Sequence, residues 1–311
     1  MKIGVGSLGI VDVLGIEEGV AALKYAGFES MDFYLGHYFV CKEEMDESYY
    51  EALCDEERMM EHYSQVKEAA EKNGISFGQC HAPVPTYVPR KTRETEIAQK
   101  IIRKSIEMCA YLNCKHLIIH PICDGSARFP TLTKEQEMEE NIAYFSSLIP
   151  DLKKYHVTCC IENAYALDWG TKKSYMSGCS DMNEAVWYID TLNEMAGEKC
   201  FAFCLDIGHA VMLGIDPCFA FEKLGHRLET LHVHDNDGMH DDHIAPYLGV
   251  VNWKRFIKGL RENGYKGDIS FETVNSCLAY PKKLVPDVLK LIAATGRYFR
   301  DQVLAEEKNK Q

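Results

Sequence analysis

Apolar positions along the chain follow two alternating rhythms. Short runs rich in β-branched and aromatic residues occur at 2–6, 30–35, 76–81, 116–120, 158–163, 201–206, 230–235 and 268–273, and these predict strands. Between them the apolar period lengthens to that of an amphipathic helix, at 16–25, 56–72, 95–112, 134–155, 181–196, 216–225, 252–263 and 284–302. The first helix runs into Gly27 and the second into Asn73-Gly74, residues free to turn left-handed after a last helical turn. Strict alternation of strand and helix predicts parallel strands joined by right-handed crossovers. Eight such units in 311 residues favour a closed α/β (β/α)8 TIM barrel over an open doubly wound sheet. Gly4, Gly6 and Gly9 do not form GxGxxG opening a helix, because 11–14 continue as an apolar run; a dinucleotide fold is disfavoured. No Pro/Gly/Ser-rich linker interrupts the pattern. The expectation is a single domain over 1–311, with a charged tail that frays after about 302.

Composition narrows the class. The hydrophobic fraction of 46% and charged fraction of 26% suit a soluble globular protein. No apolar stretch reaches the roughly 18–20 residues of a membrane span, and the start lacks the layout of a signal peptide. These features predict a cytoplasmic protein with no membrane partner. Lys and Arg number 34 against 47 Asp and Glu, a net charge of −13, which argues against nucleic acid as a partner. Thirteen Cys, an odd number scattered in apolar runs without any CxxC, predict buried reduced thiols rather than disulfides or a zinc site.

The chemistry lies at the predicted strand ends, where a barrel carries its site. Successive strands end in His81, His120, Glu162 and Asp206, with His209 three residues beyond Asp206. The next strand carries His232 and His234, its loop adds Asp241 and His243, and the last strand carries Glu272. Any one of these residues could be merely solvated. Six consecutive strands ending this way crowd charge at one rim, and a divalent cation would offset it. Imidazole and carboxylate without thiolate suit Mn²⁺ or Zn²⁺ first, then Fe²⁺, Co²⁺ or Mg²⁺. Strand periodicity places His232 and His234 on one face and does not choose between them. Asn163 either meets substrate or closes its strand. Trp169 and the pair Phe33-Tyr34 either wall a sugar site or pack in the core. His37, His62, His116, His156 and His226 read as surface or core histidines.

The ordered motifs IEN, CLDIGH, LHVHDND…DDH and FET resemble the xylose-isomerase-like barrels, which include sugar and sugar-phosphate isomerases and epimerases and the endonuclease IV apurinic-site nucleases. The resemblance covers nearly the whole chain. It implies that Glu162, Asp206, His232 and Glu272 form the metal site of the ketose epimerases, with Glu162 and Glu272 also the acid/base pair. His81, His120, His209, Asp241 and His243 match the further ligands of the nucleases, and some sugar enzymes keep such residues as substrate contacts. Two departures stand out. Asp168 occupies a position where epimerases place a second Glu, and Gly238 (or His240, if His234 is the ligand) stands where they place an Arg. Both family positions touch substrate hydroxyls, so the departures leave the sugar open; Asp168, Asn163, Trp169 and His209 are the candidate substrate-binding residues.

The leading expectation is a metal-dependent sugar isomerase or 3-epimerase that moves a proton next to a carbonyl through an enediolate. The alternative is a lyase that cleaves a 3-oxo glycoside by elimination after the same enolisation. An apurinic-site nuclease is favoured by the nine candidate ligands and opposed by the charge, and a non-catalytic sugar sensor is opposed by the intact Glu pair. The partner is a small carbohydrate, with a homo-oligomer compatible.

Overall fold

The computed structural model describes residues 1–42 and 44–308. It contains ten strands: β1 Ile3–Gly6, β2 Ser30–Tyr34, β3 Ser76–His81, β4 His116–Ile119, β5 Thr158–Glu162, β6 Tyr165–Asp168, β7 Lys173–Met176, β8 Phe201–Asp206, β9 Leu228–His232 and β10 Ile269–Phe271. Eight form one sheet in the order β10-β1-β2-β3-β4-β5-β8-β9. Its two end strands meet through a parallel bridge between Val233 and Phe271, so the sheet is a parallel α/β barrel with helices around it. β6 and β7 make a separate antiparallel hairpin.

Backbone contacts divide the chain into two compact units. The first holds Met1–Phe33, Glu68–Gly78 and Cys204–Gln311. In it β1 pairs with β2, placing Gly6 beside Asp32, and with β10, placing Val5 beside Phe271. Helix Ile16–Ala26 ends where Gly27 takes φ 90, a conformation that costs a side-chain-bearing residue energy. Phe271 and Trp253 pack on Phe299, which lies on the helix Val285–Lys308. The frayed tail expected after about 302 falls partly on that helix, while 309–311 lie outside the described residues.

The second unit holds Tyr34–Lys67 and Gln79–Phe203. There β3 pairs with β4, and β4 with β5. Helix Lys134–Tyr155 starts at a capping box: Gln136 N donates to Thr133 Oγ1 at 3.2 Å and Thr133 N donates to Gln136 Oε1 at 2.9 Å. From that helix buried Asn141 accepts from Ile122 N at 2.8 Å and donates to Ile122 O at 2.9 Å. It thereby fixes the loop after β4, where His120 sits. No helix among the described residues is long and apolar enough to cross a membrane.

Candidate metal centre

In the first unit, Asp206 closes β8 and caps the next helix, Ile207–Met212, accepting from His209 N at 2.7 Å. The cap holds its carboxylate in one orientation. His232 closes β9. Its Nε2 lies 2.8 Å from Asp32 Oδ2, while Nδ1 faces Glu272 Oε2 at 3.3 Å and Asp206 Oδ2 at 3.9 Å. An aspartate on one ring nitrogen keeps the proton there and leaves the other lone pair for coordination. One imidazole nitrogen facing two carboxylates is a donor set that fits a borderline divalent cation.

His234 faces a different group. Its Nε2 is 3.1 Å from both Asp206 oxygens and 3.7 Å from Asp241 Oδ1, and its ring stacks on His243 at 4.2 Å. His209 and His243 reach Asp241 Oδ2 at 3.2 and 3.0 Å. The four side chains His209, His234, Asp241 and His243 thus offer ligand atoms within 4.8 Å of one another. Burial alone would raise the Asp241 carboxyl, but the facing His209 and His243 hold it well below the usual range. Burial alone would lower His243, but Glu272, Asp241 and Asp206 raise it to about 9. The contacts agree: His243 Nδ1 is 3.2 Å from the Glu272 carbonyl and Nε2 meets Asp241, two acceptors that call for a doubly protonated ring unless a cation takes one nitrogen.

Local backbone makes this approach feasible. A Cβ on Gly208 would meet His234 Cε1 at 1.9 Å, so only glycine lets the capped helix pass under that ring. The loop after β9 is pinned by Asp235, which is 0% exposed. Its carboxylate accepts from Asn236 N at 3.0, Tyr247 N at 2.9, Val251 N at 3.0 and Trp253 Nε1 at 3.1 Å.

In the second unit, Glu162 closes β5 and is 1% exposed. Its Oε2 lies 3.4 Å from His81 Nε2 and 3.2 Å from His120 Nε2. His81 Nδ1 is 2.6 Å from the Ala82 carbonyl, which can only accept, so Nδ1 carries a proton. Nε2 then turns a lone pair toward a carboxylate unless a second proton or a cation lies between them. Asn163 is fully buried. Asp168 and Trp169 lie on the β6–β7 hairpin: Asp168 Oδ1 accepts from Gly170 N at 2.8 Å and Thr171 N at 3.3 Å, and Trp169 is 67% exposed beneath Lys172 Nζ. Phe33 is buried, and Tyr34 meets the His81 ring edge-on at 5.7 Å.

Sequence reasoning missed Asp32 and Asp235. Each is a lone acid in an apolar strand or strand extension (SMDFY, LHVHD), and a buried acid there has to have a partner.

The xylose isomerase-like TIM barrel model matches residues 20–295. The chain belongs to that family. A segment of 74 residues is 30% identical to fructoselysine 3-epimerase of Escherichia coli O157:H7, covering 24% of this chain and 27% of that one. Matches to curated relatives span from 22% to 65% of those relatives' own length. Among solved structures, the IolI protein with a bound zinc atom superposes with a TM-score of 0.70 at 13% identity, covering 98% of this chain and 99% of that one. The 3-keto-D-glucoside 4-epimerase YcjR from E. coli superposes with a TM-score of 0.66 at 15% identity, covering 94% and 99%. At these identities the superpositions speak for the fold.

Proposed function

We propose that this family member is a metal-dependent sugar isomerase or 3-epimerase, acting by proton transfer next to a carbonyl. The observation that carries the reading is His232, held by Asp32 through Nε2 with Nδ1 turned toward Asp206 and Glu272. On this reading Asp206, His232 and Glu272 hold one divalent cation, Mn²⁺ or Zn²⁺, and Glu162 joins them on the strength of the IEN motif. The cation would supply Lewis acidity to the substrate's oxygens and so acidify the adjoining C–H. Glu162 and Glu272 come from the ends of two different strands. One removes the proton and the other returns one, and a C–H so acidified needs only a modest base. His209 holds a substrate oxygen. The epimerase names of the relatives support this class. The 3-keto-glucoside specificity in the name of one neighbour favours a second reading, elimination from an oxidised glycoside, which begins with the same enolisation.

The test is metal analysis of the purified protein, followed by ketoses and 3-oxo glycosides offered in deuterated water. The expected result is a bound divalent cation and deuterium entering the carbon next to the carbonyl. Glu272→Gln and Glu162→Gln should each slow exchange by about 10²–10⁴-fold. A metal-loaded Gln variant that exchanges at the wild-type rate removes that residue from the mechanism. Three zinc ions with cleavage of abasic DNA would replace the proposal by the nuclease reading.

A further inference from the structure

Away from the His and carboxylate groups, the second unit gathers three of the thirteen cysteines. Cys80 lies on β3, next to His81 and therefore on the opposite face of the strand. Cys109 lies in the last turns of the helix Thr92–Tyr111. The chain then reverses at Asn113, φ 58, and Cys114 N donates back to Cys109 O at 3.0 Å. That turn folds Cys114 beneath Cys109, against the outward face of β3. The three residues are 0%, 0% and 3% exposed, and their sulfurs lie within 4.8 Å of one another. The expectation of isolated apolar thiols overlooked this convergence.

We propose that Cys80, Cys109 and Cys114 form a buried three-sulfur site for a soft, thiophilic monovalent cation of the Cu⁺ type. A cation about 2.3 Å from three coplanar sulfurs sets them about 4.0 Å apart, within the observed spacing. Thiolates without nitrogen or oxygen side-chain partners select soft ions. Zn²⁺ wants a fourth ligand in a closed structural site, and among the described residues this group holds three sulfurs and no other ligand side chain. The neighbouring polar atoms are backbone carbonyls: Cys109 Sγ lies 3.6 Å from Cys114 O, and Cys114 Sγ 3.4 Å from His116 O. As a cation enters, the thiol protons leave to solvent and the three sulfurs coordinate it. No redox step is needed.

The experiment titrates reduced protein, already loaded with its divalent cation, with Cu⁺ in a competing chelator under anaerobic conditions. One Cu⁺ per chain is expected, held at least tenfold more weakly by Cys80→Ser, Cys109→Ser or Cys114→Ser and unchanged by Cys218→Ser. X-ray absorption of the wild-type Cu⁺ form should show three sulfur neighbours, which decides the matter even if the variants fail to fold. Uptake no greater than that of the triple Ser variant, nitrogen or oxygen neighbours, or preferential retention of four-coordinate Zn²⁺ by this trio would each overturn the assignment.

Discussion

The loop after β9 and the hairpin β6–β7 solve the same problem at different depths. Each is a connection stabilised by an aspartate whose carboxylate collects backbone N–H groups. Asp235 does so fully buried, with three main-chain donors and the Trp253 indole. Asp168 does so in a half-buried turn, with two main-chain donors. The first loop carries Asp241 and His243 into a group of potential ligand atoms that lie within 4.8 Å of one another. The second carries Trp169, Tyr175 and Met176 with 67%, 47% and 56% of their surface exposed. Coordination demands placement to a few tenths of an ångström, and a buried, water-excluded anchor supplies it. A turn that presents an adaptable apolar surface does not need that stiffness.

The largest effect should follow from removing the buried anchor. Asp235→Ala strands four donors in a site closed to water, and a cost of about 4 kcal/mol is expected because each orphaned donor loses roughly 1–3 kcal/mol less what relaxation recovers. Urea unfolding of the metal-free protein measures it. Equal losses for Asp235→Ala and Asp168→Ala would break the comparison, since burial would then not be what separates the loops.

A middle-sized effect is expected at Asp32, which touches His232 rather than the cation. Asp32→Asn keeps the shape but no longer holds the Nε2 proton with a charge, and metal affinity should drop about 10–100-fold. Competition with a chromophoric chelator reads this directly. Unchanged affinity would show that the packing of His232, which is 0% exposed, fixes its ring without help.

What the sequence made legible follows the same line between local and distant. β3 and β8 have the predicted bounds, 76–81 and 201–206, because each apolar run stops at a charged or ligand-type residue. β9 was expected at 230–235 and lies at Leu228–His232. The alternation in HVHD continues past the point where the ladder gives way to isolated bridges at Val233 and Asp235. The hairpin went unread because β6 is mostly half-buried, β7 is mostly exposed, and the two four-residue strands carry little apolar alternation. The five-residue helix Ile10–Leu14 hid inside an apolar run, too short for a period to show. The candidate ligands at the strand ends could be picked out since each is a local feature. His232 and His234 were indistinguishable because strand alternation treats them alike. Their partners differ in space: His232 meets Glu272 and Asp32, the latter 200 residues away in sequence, whereas His234 meets Asp241 and His243. The thiol trio was invisible for the same reason, with Cys80 far from Cys109 and Cys114 along the chain.

The smallest effect should come from Asp168. Its carboxyl is held below the usual range chiefly by the Gly170 N–H, with Thr171 adding to it. A depressed folded value means that its contribution is present above the unfolded value of about 3.9 and is lost as pH falls through the folded one. Asp168→Asn retains an acceptor oxygen for the turn and removes only the charge, which solvent screens at this position. The melting temperature at pH 7 should therefore move by no more than about 1 °C, and the difference from wild type should vanish in acid once the pH lies below the depressed folded value. Thermal melts at both pH values check this. A shift at pH 7 as large as that of Asp235→Asn would mean the hairpin is as rigidly anchored as the β9 loop. A raised KM with an unmoved melting temperature would instead make Asp168 a substrate contact, and the hairpin part of the binding surface despite its soft anchor.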